Sequence, residues 1–200
     1  MKLYLAPGAC SLADHIALHE AGAAFGCVKV DLKTKRTEDG RDYDEINPKG
    51  YVPALELDDG QVLTENIAIL YWVADLAPEL GLSGAMGRFR LLEMLAFIST
   101  ELHKGFKPFF KPDASDADKA DAGQAIGKRL DFLANQMRGD YLFGDQMSVA
   151  DAYLFVMLAW AKNNDLPLPN PLPAFFERMR TRPAVRLALE HEGLGKLQAA

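Results

Sequence analysis

The chain has 200 residues, 49% hydrophobic and 25% charged, with a formal net charge of -6. That length allows one large or two small globular domains that bury most of their apolar surface. The acidic balance disfavours nucleic acid and anionic membrane surfaces as partners, and no run is long and apolar enough to span a bilayer.

Met1-Lys2-Leu3-Tyr4 leads directly into an apolar run, without the plan of a signal peptide. Residues 2–6 read as a strand, punctuated by Pro7 and Gly8. Leu12, Ile16 and Ala17 then recur at helical spacing, and Gly22 suits the residue just past the helix end. Cys10 therefore stands where a strand hands over to a helix N-terminus. Unpaired backbone N–H groups and the helix dipole favour an anion there, so an easily ionised, reactive thiol is expected. A buried structural cysteine is the alternative, though such a residue rarely occupies a strand-to-helix turn beside glycine. The same helix carries His15 and His19, four apart. A metal pair is one reading, but no third ligand is evident nearby, so an exposed helix face is expected and no metal.

Residues 25–32, with Val28 and Val30, read as a second strand in which Cys27 is a packing residue. With Cys10 the only other cysteine, there is no secreted disulfide framework, and a reducing cytoplasmic setting is expected. The charged residues 33–43 read as a solvated loop or short helix, and Ile46-Asn47-Pro48-Lys49-Gly50 as a turn. Pro53 stands at the start of the run 51–57, where a strand tolerates it. Asp58-Asp59-Gly60 joins that run to Gln61-Val62-Leu63 as a hairpin. Thr64-Glu65-Asn66 opens a helix with Ile67, Leu70, Tyr71 and Val73. These polar residues serve either as a plain cap or as part of an anion site at the helix N-terminus.

Residues 77–85 break the composition and read as a linker. Helices follow without a convincing strand. One covers 88–110, with Leu91, Leu92, Leu95, Ile98 and Leu102 at helical spacing, stopped by Pro108 and Pro112; another covers 116–138. Ser148-Val149-Ala150-Asp151 resembles a capping box with Asp in place of Glu. It opens the apolar run 152–160, expected to be a central buried helix, which makes Asp151 structural rather than catalytic. Residues 167–173 form a proline-rich connection. Phe175, Phe176 and Met179 belong to a short helix, and Pro183 starts another at its first position. His103, Lys104, Lys107 and Lys111 lie among Phe106, Phe109 and Phe110. This basic, aromatic patch could receive an anionic, partly apolar ligand, or its cations could complement a helix dipole.

The segments "APGACSLADH", "NPKGYVPAL", "DDGQVLTEN", "TELHKGF", "SVADAYLF" and "RPAV" together resemble the glutathione transferases, most closely the bacterial beta class. They occur in family order across nearly the whole chain. The resemblance implies a thioredoxin-like α/β domain over residues 1–78, a linker over 79–87, and an all-helical domain over 88–200 that contributes the electrophile site. It implies a cytoplasmic homodimeric enzyme that joins glutathione, as co-substrate, to small hydrophobic electrophiles. Cys10 would lie beside the glutathione sulfur and can form a mixed disulfide with it. Val52 would precede a cis Pro53 and pair with the peptide through its backbone. Glu65 and Asn66 would hold the γ-glutamyl end, and Lys35 would meet the glycyl carboxylate. His103 and Lys104 would face the site from the second domain. Two positions depart from the pattern: Tyr51, at the pocket rim, replaces a frequent glutamine, and Ala96 replaces an asparagine that reaches the partner subunit's site. Two other functions compete, a glutathione-dependent disulfide reductase or peroxidase built on Cys10, and a non-catalytic binding protein of the same fold. Cys10 has no second thiol at the thioredoxin spacing, so glutathione itself would have to resolve a mixed disulfide.

Overall fold

A computed structural model describes residues 1–195. The first part is a five-stranded sheet in the order β3-β2-β1-β4-β5. Its strands are β1 (Lys2–Leu5), β2 (Gly26–Asp31), β3 (Arg36–Thr37), β4 (Ala54–Glu56) and β5 (Val62–Thr64). β1 and β2 run parallel, joined by helix α1 (Leu12–Glu20), as a parallel pair requires. β4 lies antiparallel to β1, and β5 antiparallel to β4 across the Asp-Gly turn. Gly60 adopts φ +85°, a conformation glycine reaches without steric cost. The charged stretch after β2 is neither plain loop nor helix: Arg36 and Thr37 pair with Asp31 and Val30 as β3.

Alternation along β1 assigns the faces of the sheet. Leu3 and Leu5 point into the main core, whereas Tyr4 joins Val30, Tyr43, Val52 and Ala54 on the other face. Helix α1 lies on the main-core face beside α2 (Asn66–Leu76). The Tyr43 hydroxyl donates to the Tyr51 carbonyl at 3.0 Å, anchoring the loop that leads to Pro53.

The rest of the described chain is helical: α3 (Gly87–Phe97), the single turn α4 (Lys107–Phe110), α5 (Asp116–Gln136), α6 (Val149–Asn163), α7 (Leu172–Thr181) and α8 (Pro183–His191). The expected continuous helix over 88–110 is broken. Beyond α3 the backbone widens to a π-turn over Ile98–Leu102 and tightens to a 3-10 turn over His103–Phe106 before α4. Such interruptions often mark functional sites, and His103 and Lys104 sit within this one. Helix α6 is buried from Val149 to Ala161, as its apolar run implies. Asp151 Oδ2 accepts from the Ser148 N–H at 2.8 Å and hydroxyl at 2.7 Å, while Oδ1 accepts from the Leu142 N–H at 2.9 Å. Burial still pushes this carboxyl up to about 6. No described helix is long and apolar enough to cross a membrane.

α1 packs against both α6 and α8, so one apolar core runs from the sheet into the helical part. Polar ties reinforce the seam. The Trp160 indole donates to the Gly8 carbonyl at 2.8 Å, and the Gly8 N–H donates to Glu192 Oε2 at 2.8 Å. Arg182 makes a two-pronged pair with Glu20 at 2.5 and 2.7 Å and donates to the Tyr141 hydroxyl at 2.8 Å. His15 and His19, expected on an exposed face, are covered instead, because α8 packs on that side of α1. His15 is fully buried and His19 half-buried.

Candidate glutathione and catalytic site

Cys10 lies at the floor of a cleft of about 340 Å³ between the sheet and the helices. Tyr51, Val52, Pro53, Glu65 and Asn66 line it from one side, and Ser99, His103, Lys104 and Tyr153 from the other. Eight of the nine residues singled out from sequence thus meet in one place. Lys35 stands apart: its ammonium binds the Gly50 carbonyl.

The turn after β1 positions the thiol. Ser11 Oγ accepts from the Ala6 N–H at 3.2 Å, and the Ala13 N–H donates to the Cys10 carbonyl at 3.0 Å. The Cys10 thiol donates to the Val52 carbonyl at 3.6 Å, next to the cis Val52–Pro53 bond. The expected easy ionisation is overturned. Burial pushes the Cys10 thiol up to about 12, the nearby carboxyls of Asp14 and Glu65 add to the rise, and the backbone hydrogen bonds of Cys10 and Ser11 only partly oppose it. Helix-terminus stabilisation loses to desolvation here. Fully buried Asp14 is itself raised well above the ordinary carboxyl range, chiefly by burial.

Glu65 sits immediately before α2 with φ +78°, a left-handed conformation costing a non-glycine residue about 1–3 kcal/mol. Its side chain does not cap the helix. The carboxylate instead accepts from the Lys49 ammonium at 2.5 Å and the Tyr51 hydroxyl at 2.7 Å. Those two bonds hold it below its usual carboxylate range, Lys49 most strongly. Asn66 is nearly buried, and its amide donates to the Cys10 carbonyl at 2.9 Å and to Asp14 Oδ2 at 3.1 Å. It therefore ties the start of α2 to the Cys10 turn.

The second wall is a hydrogen-bonded pair. His103 Nδ1 lies 2.6 Å from the Tyr153 hydroxyl, and the His103 ring meets the Trp160 ring edge-on at 5.0 Å. Burial raises the Tyr153 phenol far above its ordinary value, so it keeps its proton and donates to Nδ1. The hydrogen of the neutral imidazole is thereby assigned to Nε2. Burial and the adjacent Lys104 lower His103 to about 4, so the ring is uncharged at neutral pH. The basic patch is less one-sided than its sequence implies. Phe106 is buried, and Lys104, Lys107 and Lys111 share a second groove with Asp113, Asp118 and Asp121.

Sequence reasoning passed over Lys49, Ile67, Ser99 and Tyr153. Lys49 stands in the turn "NPKG", one of the segments carrying the resemblance, and Tyr153 in "SVADAYLF". For Ser99, the signal is the helix interruption, which no spacing rule predicts.

The cleft can hold a small anion with both amine and carboxylate groups beside a protonated thiol, and the comparisons agree with that chemistry. The family model of the glutathione S-transferase N-terminal domain matches residues 1–75, and that of the C-terminal domain matches residues 97–183. Glutathione S-transferase GstA of Escherichia coli O157:H7 is 44% identical over 200 residues, covering 97% of this chain and 100% of GstA. A sphingomonad glutathione S-transferase solved in complex with glutathione is 46% identical, with a TM-score of 0.89, covering 97% of this chain and 100% of the other. A beta-class glutathione S-transferase of Sphingomonas chungbukensis has the same identity and coverages, with a TM-score of 0.88. The fold, the cleft and these likenesses agree: the chain belongs to the glutathione S-transferase family, and it is a bacterial beta-class glutathione transferase.

Proposed function

We propose that the protein conjugates glutathione to small apolar electrophiles, with the glutathione sulfur as nucleophile and Cys10 as a hydrogen-bond donor to it. The observation that carries this reading is the Cys10 thiol, raised to about 12 and already donating to the Val52 carbonyl. At that value its thiolate fraction at pH 7 is on the order of 10⁻⁵. A reductase or peroxidase needs Cys10 itself to attack, so the same observation disfavours that competing reading. A neutral S–H and a neutral His103 Nε2–H suit a different task. Both can stabilise a thiolate on the ligand, and Lys104 supplies positive charge. With a value near 4, His103 is too weak a base to remove the proton and serves as a donor.

Glu65 is the carboxylate suited to the γ-glutamyl ammonium, and the N-terminus of α2 to the adjoining carboxylate. The Val52 backbone would pair with the peptide as an added strand. Lys104 is the cation lining the cleft and the better candidate for the glycyl carboxylate, since Lys35 is not among the residues that line it. Phe110, more than half exposed and edge-on to Trp160 at 4.8 Å, offers an apolar wall near His103 for the electrophile. A cytoplasmic homodimer is part of the proposal. Met86, Phe89, Leu92 and Phe132 are exposed apolar side chains on or beside α3 and α5, and Phe97 packs on Phe132 at 4.9 Å. Ala96 on the same helix is too short to reach across such an interface. The units would be 1–78 and 88–200, joined through 79–87.

The test compares Cys10→Ala with the wild type in two assays. Conjugation of an activated aryl chloride should survive in the variant, and exchange with oxidised glutathione should vanish. Equal loss of both in a folded variant that still binds glutathione would contradict the proposal.

A further inference from the structure

On the side of α1 turned towards α8 lies a cluster that the glutathione cleft does not use. His15 and His19 from α1 meet His191 from the end of α8, and one ring nitrogen from each lies within 4.8 Å of the other two. We propose that these three imidazoles form a binding site for a divalent transition-metal ion of the zinc type.

Spacing on α1 alone supplies only a pair; the third imidazole comes from a residue more than 170 positions later in the sequence. Around a tetrahedral ion, Zn–N bonds of about 2.0–2.1 Å place imidazole centroids roughly 5 Å apart. The centroids here are separated by 4.9 Å (His15–His19), 5.5 Å (His19–His191) and 5.7 Å (His15–His191). His191 is exposed in the last turn of α8, so it can close a remaining gap on the order of 1 Å by a side-chain adjustment. That exposure also provides a path of entry and leaves a fourth position for water.

Two further features fit ligation better than plain packing. His19 Nε2 is buried and has no hydrogen-bond partner among the described residues, a state that ordinarily costs a structure stability. His15 Nδ1 lies 2.8 Å from Glu192 Oε1, both side chains being fully buried. Such a carboxylate, accepting one ring N–H, is the usual second partner of a metal-bound histidine and leaves Nε2 as the nitrogen with the lone pair. Cys27 Sγ lies 3.4 Å from His15 Nε2, where its S–H can donate to that lone pair, a contact that a bound ion would displace. It is a neighbour and not one of the three ligands.

The experiment titrates zinc ions into the full-length protein without glutathione, against a chromophoric chelator, and repeats the titration with cobalt ions to record tetrahedral absorption. One equivalent per chain is expected, retained in Cys10→Ser and in Cys27→Ser. Affinity should fall about tenfold or more in His19→Gln and in His191→Gln. Because His191 is exposed, His191→Gln keeps the fold even where His19→Gln does not, and an unchanged far-UV circular dichroism spectrum verifies this. Zinc should also raise the melting temperature of the wild type and not that of His191→Gln. Absence of binding at tenfold excess, binding unchanged in His191→Gln, or loss of binding in either cysteine variant would overturn the assignment. Glutathione is bound elsewhere, so none of these outcomes depends on the transferase reading.

Discussion

Replacing Asp151 by alanine tests whether that residue is structural and whether its carboxyl is held in its protonated form at mildly acidic pH. The change removes the acceptor of the Ser148 N–H, the Ser148 hydroxyl and the Leu142 N–H, all in the buried start of α6. Two backbone donors left without acceptors at about 1–3 kcal/mol each give a loss of roughly 2–6 kcal/mol at pH 7. The sign of the pH dependence follows from the raised value. Burial lifts the folded-state pKa from 3.8 to about 6, so between those values the native state binds more protons than the unfolded state. This contribution is therefore fully present below pH 3.8 and is lost as pH rises through 6. The deficit of Asp151→Ala relative to wild type should accordingly be larger at pH 4 than at pH 7, by about 2 kcal/mol. Urea unfolding of both proteins at the two pH values measures it, alongside conjugation rate per folded molecule, which should be unchanged. A deficit that grows with pH, or a stable variant without activity, would refute the reasoning.

Glu65→Gln should weaken glutathione binding by about tenfold, because it removes the charge that meets the ammonium group; calorimetry checks it. The His103 imidazole should titrate near 4 in a proton NMR titration, well below an ordinary histidine, and the conjugation profile should show no limb from it near pH 6.5. Arg182→Ala should destabilise the fold by about 2 kcal/mol through loss of the two-pronged Glu20 pair, seen as a lower urea midpoint. Light scattering should return twice the chain mass if the exposed Phe89, Leu92 and Phe132 form the proposed interface.

Much of this architecture was legible because local chemistry agreed with the fold. Asp59-Gly60 set the β4–β5 hairpin, the unbroken apolar run set α6, and Pro183 set the start of α8. The cleft was legible through its motifs: Cys10, Val52-Pro53, Glu65-Asn66 and His103-Lys104 converge although they are far apart in sequence. What stayed hidden depends on tertiary neighbours. The position of Cys10 argued for an ionised thiol, but Asp14, Glu65 and the depth of the site decide its charge. His15 and His19 looked exposed because nothing in their own helix announces that α8 covers them. The break after Phe97 is invisible to periodicity, since Ile98 and Leu102 keep helical spacing while the backbone departs from it. The family pattern implies Lys35, and only the folded chain shows that its ammonium meets the Gly50 carbonyl and that it is not among the residues lining the cleft.

The central claim is that Cys10 is a neutral thiol and that the attacking sulfur belongs to glutathione. Its most direct test is the rate of Cys10 alkylation by iodoacetamide against pH, read by peptide mass spectrometry on the glutathione-free protein. With the thiol raised to about 12, the rate should still be climbing at the alkaline end of the range in which the protein stays folded. A rate that levels off below pH 7 would show a thiolate at Cys10 and contradict the account.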